Sequence, residues 1–145
     1  MDYNKTVHFV PAKECSPSNI MIQVKNFRKQ DDYTSFIKHI ISICTQALLS
    51  SQTFNINSFN VYCLFDDDID KKNLDYKLLV HIAKTMIELF PQKLHQFYIY
   101  NPPKTFKIMY SLLKKLLDKE CRGKIVIVEN NHKFSIDDYE NENDY

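Results

Sequence analysis

The sequence contains a single glycine, Gly123, in 145 residues. Loops that cradle phosphate need glycine because the backbone must come close to the anion, so P-loop and dinucleotide fingerprints are excluded. The same shortage removes the G-x-S-x-G turn that presents a nucleophilic serine. An excess of either charge is also lacking: 19 Lys and Arg stand against 18 Asp and Glu, leaving +1 at neutral pH. No global field exists to hold a nucleic acid or an anionic membrane, so no nucleic-acid partner is expected and any such contact is local. Apolar runs are too interrupted by charge for a membrane span. The segment Met1 to His8 has neither the apolar stretch nor the small-residue cleavage site of a secretory signal, which leads to the expectation of a cytoplasmic protein. The four cysteines show no C-x-x-C spacing, and Cys44 and Cys63 fall inside apolar periodic segments, where reduced, buried thiols are expected. His8, His39, His81, His95 and His132 never reach H-x-x-x-H spacing or stand near a cysteine at ligand spacing. No metal site and no cofactor are expected.

What is present is 44% hydrophobic and 26% charged, a globular balance, in a chain long enough to bury roughly 68–70% of the surface its unfolded form exposes. Val7, Phe9 and Val10 suggest a short extended segment before a loop. Ile20, Ile22 and Val24 stand two apart and predict a strand over 19–27. Asp31 or Asp32 can then cap a helix whose stripe is Tyr33, Phe36, Ile37, Ile40, Ile41, Cys44, Ala47 and Leu48, with a polar return loop over 50–58. Phe59 to Phe65 is a nearly continuous apolar run, the pattern of a central strand covered on both faces. Asp75 caps a second helix through Leu78, Leu79, Ile82, Ala83, Met86 and Phe90, which Pro91 ends. Phe97 to Tyr100 is a short aromatic strand broken by Asn101-Pro102-Pro103. A third helix starts near Lys104, carries Phe106, Met109, Leu112, Leu113, Leu116 and Leu117, and closes at Arg122-Gly123. Lys124 to Val128 is one more buried strand. The alternation predicts an α/β fold, a mostly parallel sheet with crossover helices, in one domain over 1–133. Residues 134–145 hold five acidic residues and no basic one, so a disordered, solvated tail is expected.

The acidic run Asp66-Asp67-Asp68-Ile69-Asp70 follows the central strand, where open α/β sheets tend to place ligands. Clustered carboxylates there could hold magnesium, with Asp66 as nucleophile and Asp68 as acid. The hydroxyl residue of aspartate-based phosphatases is absent after them. A calcium loop fails because Lys71 stands where glycine is needed and Lys77 where the bidentate Glu should be. A solvated loop whose Asp side chains satisfy turn backbone is the plainer reading.

From Phe59 to Val128 the sequence carries an ordered series. A strand ends in Asp66, and a helix runs into Leu89-Phe90-Pro91-Gln92-Lys93-Leu94. The aromatic strand Phe97-Tyr98-Ile99-Tyr100 leads to Asn101-Pro102-Pro103-x-x-Phe106, followed by an amphipathic helix ending Leu116-Leu117-Asp118 and a strand opening Lys124-Ile125-Val126-Ile127. In this order and spacing the series resembles the CRAL-TRIO lipid-binding domain family. The resemblance implies a sheet that floors an apolar pocket and a gate helix after the Asn-Pro pair, with Phe106, Met109, Tyr110, Leu113 and Leu117 as candidates for the gate surface. An amphipathic helix packed in a core has the same pattern. Lys124 resembles the basic residue that phosphatidylinositol-binding members set against the lipid phosphate, and Lys114 and Lys115 would face an anionic surface. This chain has Gln92 where such members usually carry Glu, and Ile69 near the place of a common Gly. The helical region before the domain and the closing segment after the last strand have no counterpart, so a shortened module with an open or vestigial pocket is expected. The implied function is a non-catalytic lipid-binding or membrane-docking module, cytoplasmic with peripheral membrane contact, whose partner is a hydrophobic lipid or a membrane surface. A protein-interaction module of the same fold, with a protein partner and no lipid, is the alternative; a magnesium-dependent phosphoryl enzyme using Asp66 and Asp68 is the second.

Overall fold

Four parallel strands follow one another in sequence because each β-run is separated from the next by a segment long enough for a crossover. In the computed structural model, residues 3–65, 75–104, 111–112, 114–115, 117–130 and 132–135 are described. They form a six-stranded sheet in the order β1 (Val7–Val10), β2 (Ser18–Gln23), β3 (Phe59–Leu64), β4 (Leu94–Tyr100), β5 (Ile125–Glu129) and β6 (His132–Ser135). Strands β2 to β5 are parallel, and β1 and β6 pair antiparallel at the two edges. The mostly parallel α/β fold expected from the sequence is therefore the fold observed.

Helices α1 (Thr34–Gln52) and α2 (Tyr76–Leu89) touch one another and pack on one face of the sheet. Successive crossovers that step in one direction across a sheet place their helices together in this way. The core lies between them, where Val7, Ile20, Ile22, Val61, Cys63, Ile99 and Ile127 from the sheet meet Phe36, Ile40, Cys44, Ala47, Leu79 and Ile82 from the helices. On the opposite face Tyr62, Tyr98 and Tyr100 are half-buried, and Tyr62 stacks on Tyr98 with ring centroids 4.8 Å apart. Strand β3 is thus buried on one face and half-buried on the other, not covered equally on both.

Several boundaries differ from the sequence expectation for local reasons. Strand β2 ends at Gln23, and the chain turns through a 3-10 segment, Val24–Asn26. That turn lets Val24 and Phe27, three apart, both enter the core. Helix α1 runs into the expected return loop because Ser51 has a buried task described below. Asp32 serves its start: its carboxylate accepts from the Thr34 backbone N–H at 2.9 Å and from the Thr34 hydroxyl at 2.6 Å. Asp75 caps α2 as expected, accepting from Leu78 N–H at 3.1 Å, and Pro91 follows the helix end. Strand β4 starts earlier than Phe97, at Leu94, with a one-residue shift against β3 between Leu94 and Gln96. It stops at Tyr100 because Asn101 adopts a left-handed φ of 52° before the two prolines.

The third helix is not continuous. Residues 111–112 and 114–115 are helical, and the chain then leaves the helix before a separate short helix α3 (Lys119–Gly123), capped by Asp118. Lys124 caps its end and strand β5 begins one residue later than expected. The edge strand β6 was not foreseen. It returns through Asn130, in a left-handed φ of 50°, in a two-residue turn between Glu129 and His132. Phe134 and Ser135, placed beyond the domain boundary at 133, are therefore part of the sheet.

Candidate functional site

An apolar cavity of about 250 Å³ lies on the helix-covered face, between α2, the central strands and the Leu117–Lys124 segment. Each element presents side chains to it for a local reason. Ala83, Met86 and Ile87 fall at spacings of three and four on the inner stripe of α2. Phe90 continues that stripe past the helix end, and its ring meets Phe59 edge to face with centroids 6.0 Å apart. Phe59 and Val61 of β3, Leu94 and Phe97 of β4, and Ile125 of β5 point to the same side of the sheet, as the parallel register Phe59↔Leu94, Val61↔Phe97 and Phe97↔Ile125 requires.

The mouth is polar. The Pro91-Gln92 turn is exposed, with Gln92 at a left-handed φ of 60° and Lys93 N–H donating to the Phe90 carbonyl at 3.2 Å. The segment after Leu117 adds Asp118, Glu120, Cys121 and Lys124 to the lining. Asp118 Oδ1 accepts from Cys121 N–H at 2.8 Å, which holds the start of α3. That backbone contact, joined by a hydrogen bond from the Cys121 thiol, holds the Asp118 carboxyl below its ordinary value. Partial burial pushes the Cys121 thiol up, and the neighbouring Asp118 pushes it further, so it is a poor nucleophile at neutral pH. Lys124 Nζ lies 3.8 Å from Glu120, and its backbone carbonyl accepts from Phe97 N–H at 2.8 Å, fixing the segment to β4.

Two residues singled out in the sequence meet here: Leu117, buried in the wall, and Lys124, at the mouth. Lys114 is half-buried and Lys115 exposed in the short helical stretch before them, beside the exposed Leu112. Phe106, Met109, Tyr110 and Leu113 lie outside the described residues, as do Asp66 and Asp68. Among the described residues no group of three His, Cys, Asp or Glu is placed to hold a metal, and no helix is long and apolar enough to cross a membrane. Cys44 and Cys63 are buried as expected, and burial pushes their thiols up to about 12. Sequence reasoning placed Ala83, Met86 and Phe90 on the apolar stripe of the second helix and gave no role to Asp118, Glu120 or Cys121. A helix stripe reads the same whether it meets a core or a cavity. The one available signal at the mouth was the Asp118-x-x-Cys121 spacing of a capped turn.

No curated protein sequence matches the chain. Among solved structures it is similar to the crystal structure of Sfh5, with a TM-score of 0.64 at 18% identity. The alignment covers 86% of this chain and 49% of that one, so the chain spans about half the length of Sfh5. That likeness is one of fold. The profile of the CRAL/TRIO domain matches residues 3–143, nearly the full length, and the chain belongs to the CRAL/TRIO domain family.

Proposed function

We propose that the chain is a non-catalytic lipid-binding module in which one apolar chain of the ligand enters the cavity beneath α2 and its polar head rests at the mouth beside Lys124. The observation that carries this reading is the cavity itself. Its walls are Phe59, Val61, Met86, Phe90, Phe97 and Leu117, while the charged residues of the described lining, Asp118, Glu120 and Lys124, all come from one short segment. Apolar walls with a few convergent polar groups are the usual form of a small-ligand site. The described lining offers a thiol with a raised pKa and carboxylates tied into a helix cap or an ion pair, which suits binding better than turnover.

The helical stretch holding Leu112, Lys114 and Lys115 is the membrane-docking part of the same reading. An exposed leucine next to lysine is the composition that rests on an anionic bilayer, and it gives the local attraction that the net charge lacks. Gentle purification followed by organic extraction and mass spectrometry tests the proposal. A lipid recovered from the native protein and lost from a cavity-filled variant is the expected result. Equal amounts of lipid from both, or none from either, would refute it and favour a protein-interaction module of the same fold.

A further inference from the structure

Among the described residues that line the cavity, carboxylates outnumber cations, which bears on the kind of ligand it takes. Among the described lining residues Lys124 is the single cation, against the carboxylates of Asp118 and Glu120. Lys124 Nζ already has a carboxylate 3.8 Å away in Glu120, and its side chain is only 24% exposed. Gln92 and the Cys121 thiol, the other polar groups of the described lining, are neutral. One positive and two negative groups leave the described lining one unit negative. Apolar walls behind it focus that field on whatever head group arrives.

The volume restricts the tail in the same way. At about 250 Å³ the cavity falls below the roughly 300–1,000 Å³ of drug-sized ligand pockets, too small for the two chains of a phospholipid. Resting on the reading of the cavity as a lipid site, we infer that its ligand is a single alkyl chain ending in a non-anionic hydrogen-bond donor, an ammonium or a hydroxyl. Such a head donates to Glu120 or Asp118. A carboxylate or phosphate must instead displace Glu120 from Lys124 while facing Asp118.

Displacement of the neutral dye Nile red by decylamine, decanol and decanoate, at neutral pH and low salt, tests this with tail length held constant. The expected order is amine, then alcohol, then carboxylate, with each unit of charge changing affinity by up to about fivefold, the scale of unit charges at an exposed rim. Glu120→Gln should weaken the advantage of the amine and Glu120→Gln combined with Asp118→Asn should abolish it, and 0.5 M salt should compress the series, since exposed charges are screened. Decanoate displacing the dye as well as decylamine overturns the inference about the head while leaving the lipid site standing. An amine preference that survives Glu120→Gln combined with Asp118→Asn overturns the assignment of selectivity to the mouth. Failure of the dye and all three amphiphiles to bind removes the cavity as a lipid site, and this inference with it.

Discussion

Ser51 Oγ, near the end of α1, accepts a hydrogen bond from the Ser18 backbone N–H at 2.9 Å, and the two side-chain oxygens lie 2.9 Å apart with both residues wholly buried. The Ser18 hydroxyl donates to the Ala47 carbonyl at 2.6 Å, so Ser51 is the donor between the two hydroxyls. One serine pair thus joins the start of β2 to the last turns of α1. Ser51→Ala would strand the Ser18 N–H and one lone pair of its hydroxyl away from water. The expected cost is about 1–3 kcal/mol, read as a lower midpoint in urea with an unchanged slope. A midpoint equal to that of the unaltered protein would show that water or a shifted backbone replaces the contact.

That pair also shows where the sequence was readable. The stripe of α1 was legible from Phe36 to Ala47 because apolar side chains recurring every 3.6 residues share one face of a helix and would scatter over both faces of a strand. The end of the helix was not, since two serines look like loop residues until a buried backbone N–H on another element is seen to need one of them. In the same way the family series singled out Leu117 and Lys124, which line the cavity, and contained Asp118 without giving it a role, while Glu120 had no pattern of its own. Their place at the mouth depends on a break between two helices that an unbroken leucine periodicity concealed. Strand β6 was obscured by the acidic composition that follows it, although Asn130-Asn131 is a recognisable hairpin turn.

His39 makes a second tie between α1 and the sheet. Its Nε2–H donates to the Val7 carbonyl at 2.8 Å, fastening α1 to the edge strand β1, whose outer side meets no strand among the described residues. His39→Ala should cost about 1 kcal/mol. Hydrogen exchange of the β1–β2 amides should accelerate while that of β4 and β5 stays unchanged. Uniform acceleration across the sheet would mean that the contact supports the whole fold and not its edge.

Filling the cavity separates ligand binding from stability. Ala83 faces the space from α2 and is nearly buried, so Ala83→Leu places three further carbons where the alkyl chain is proposed to lie. Occupied space should keep stability within about 1 kcal/mol of the starting protein or raise it, as cavity-filling changes do. Lipid recovery and dye binding should both fall to background. Loss of stability by several kcal/mol would show that the walls are already closed on Ala83.

Charge reversal tests the membrane contact independently of the cavity. Lys114→Glu with Lys115→Glu should remove at least about 2 kcal/mol of binding to anionic vesicles, roughly thirtyfold, at about 1 kcal/mol per lysine. The difference should shrink as salt is added, and extraction of cavity-bound lipid should be unaffected. Sedimentation in which the doubly altered protein pellets with vesicles as the unaltered one does would eliminate this stretch as the docking element.

The cap at Asp118 predicts a pH response at the mouth of the cavity. Its folded-state pKa is depressed, chiefly by the Cys121 backbone N–H and then by the Cys121 thiol, so the carboxylate binds its proton less readily in the folded chain than in the unfolded one. A group depressed in this way contributes stability above its unfolded value and loses that contribution as pH falls through the folded one. The Lys119–Gly123 turn and Lys124 should therefore loosen below the ordinary carboxylate range while α1 and the central strands persist. Amide exchange at Cys121 and Arg122, followed from about pH 6 down to about pH 3, should speed up relative to that at Ile99 and Ile127. Asp118→Asn keeps a capping oxygen but does not titrate, so it should flatten this response. The same acid dependence in that variant would assign the effect to another carboxylate.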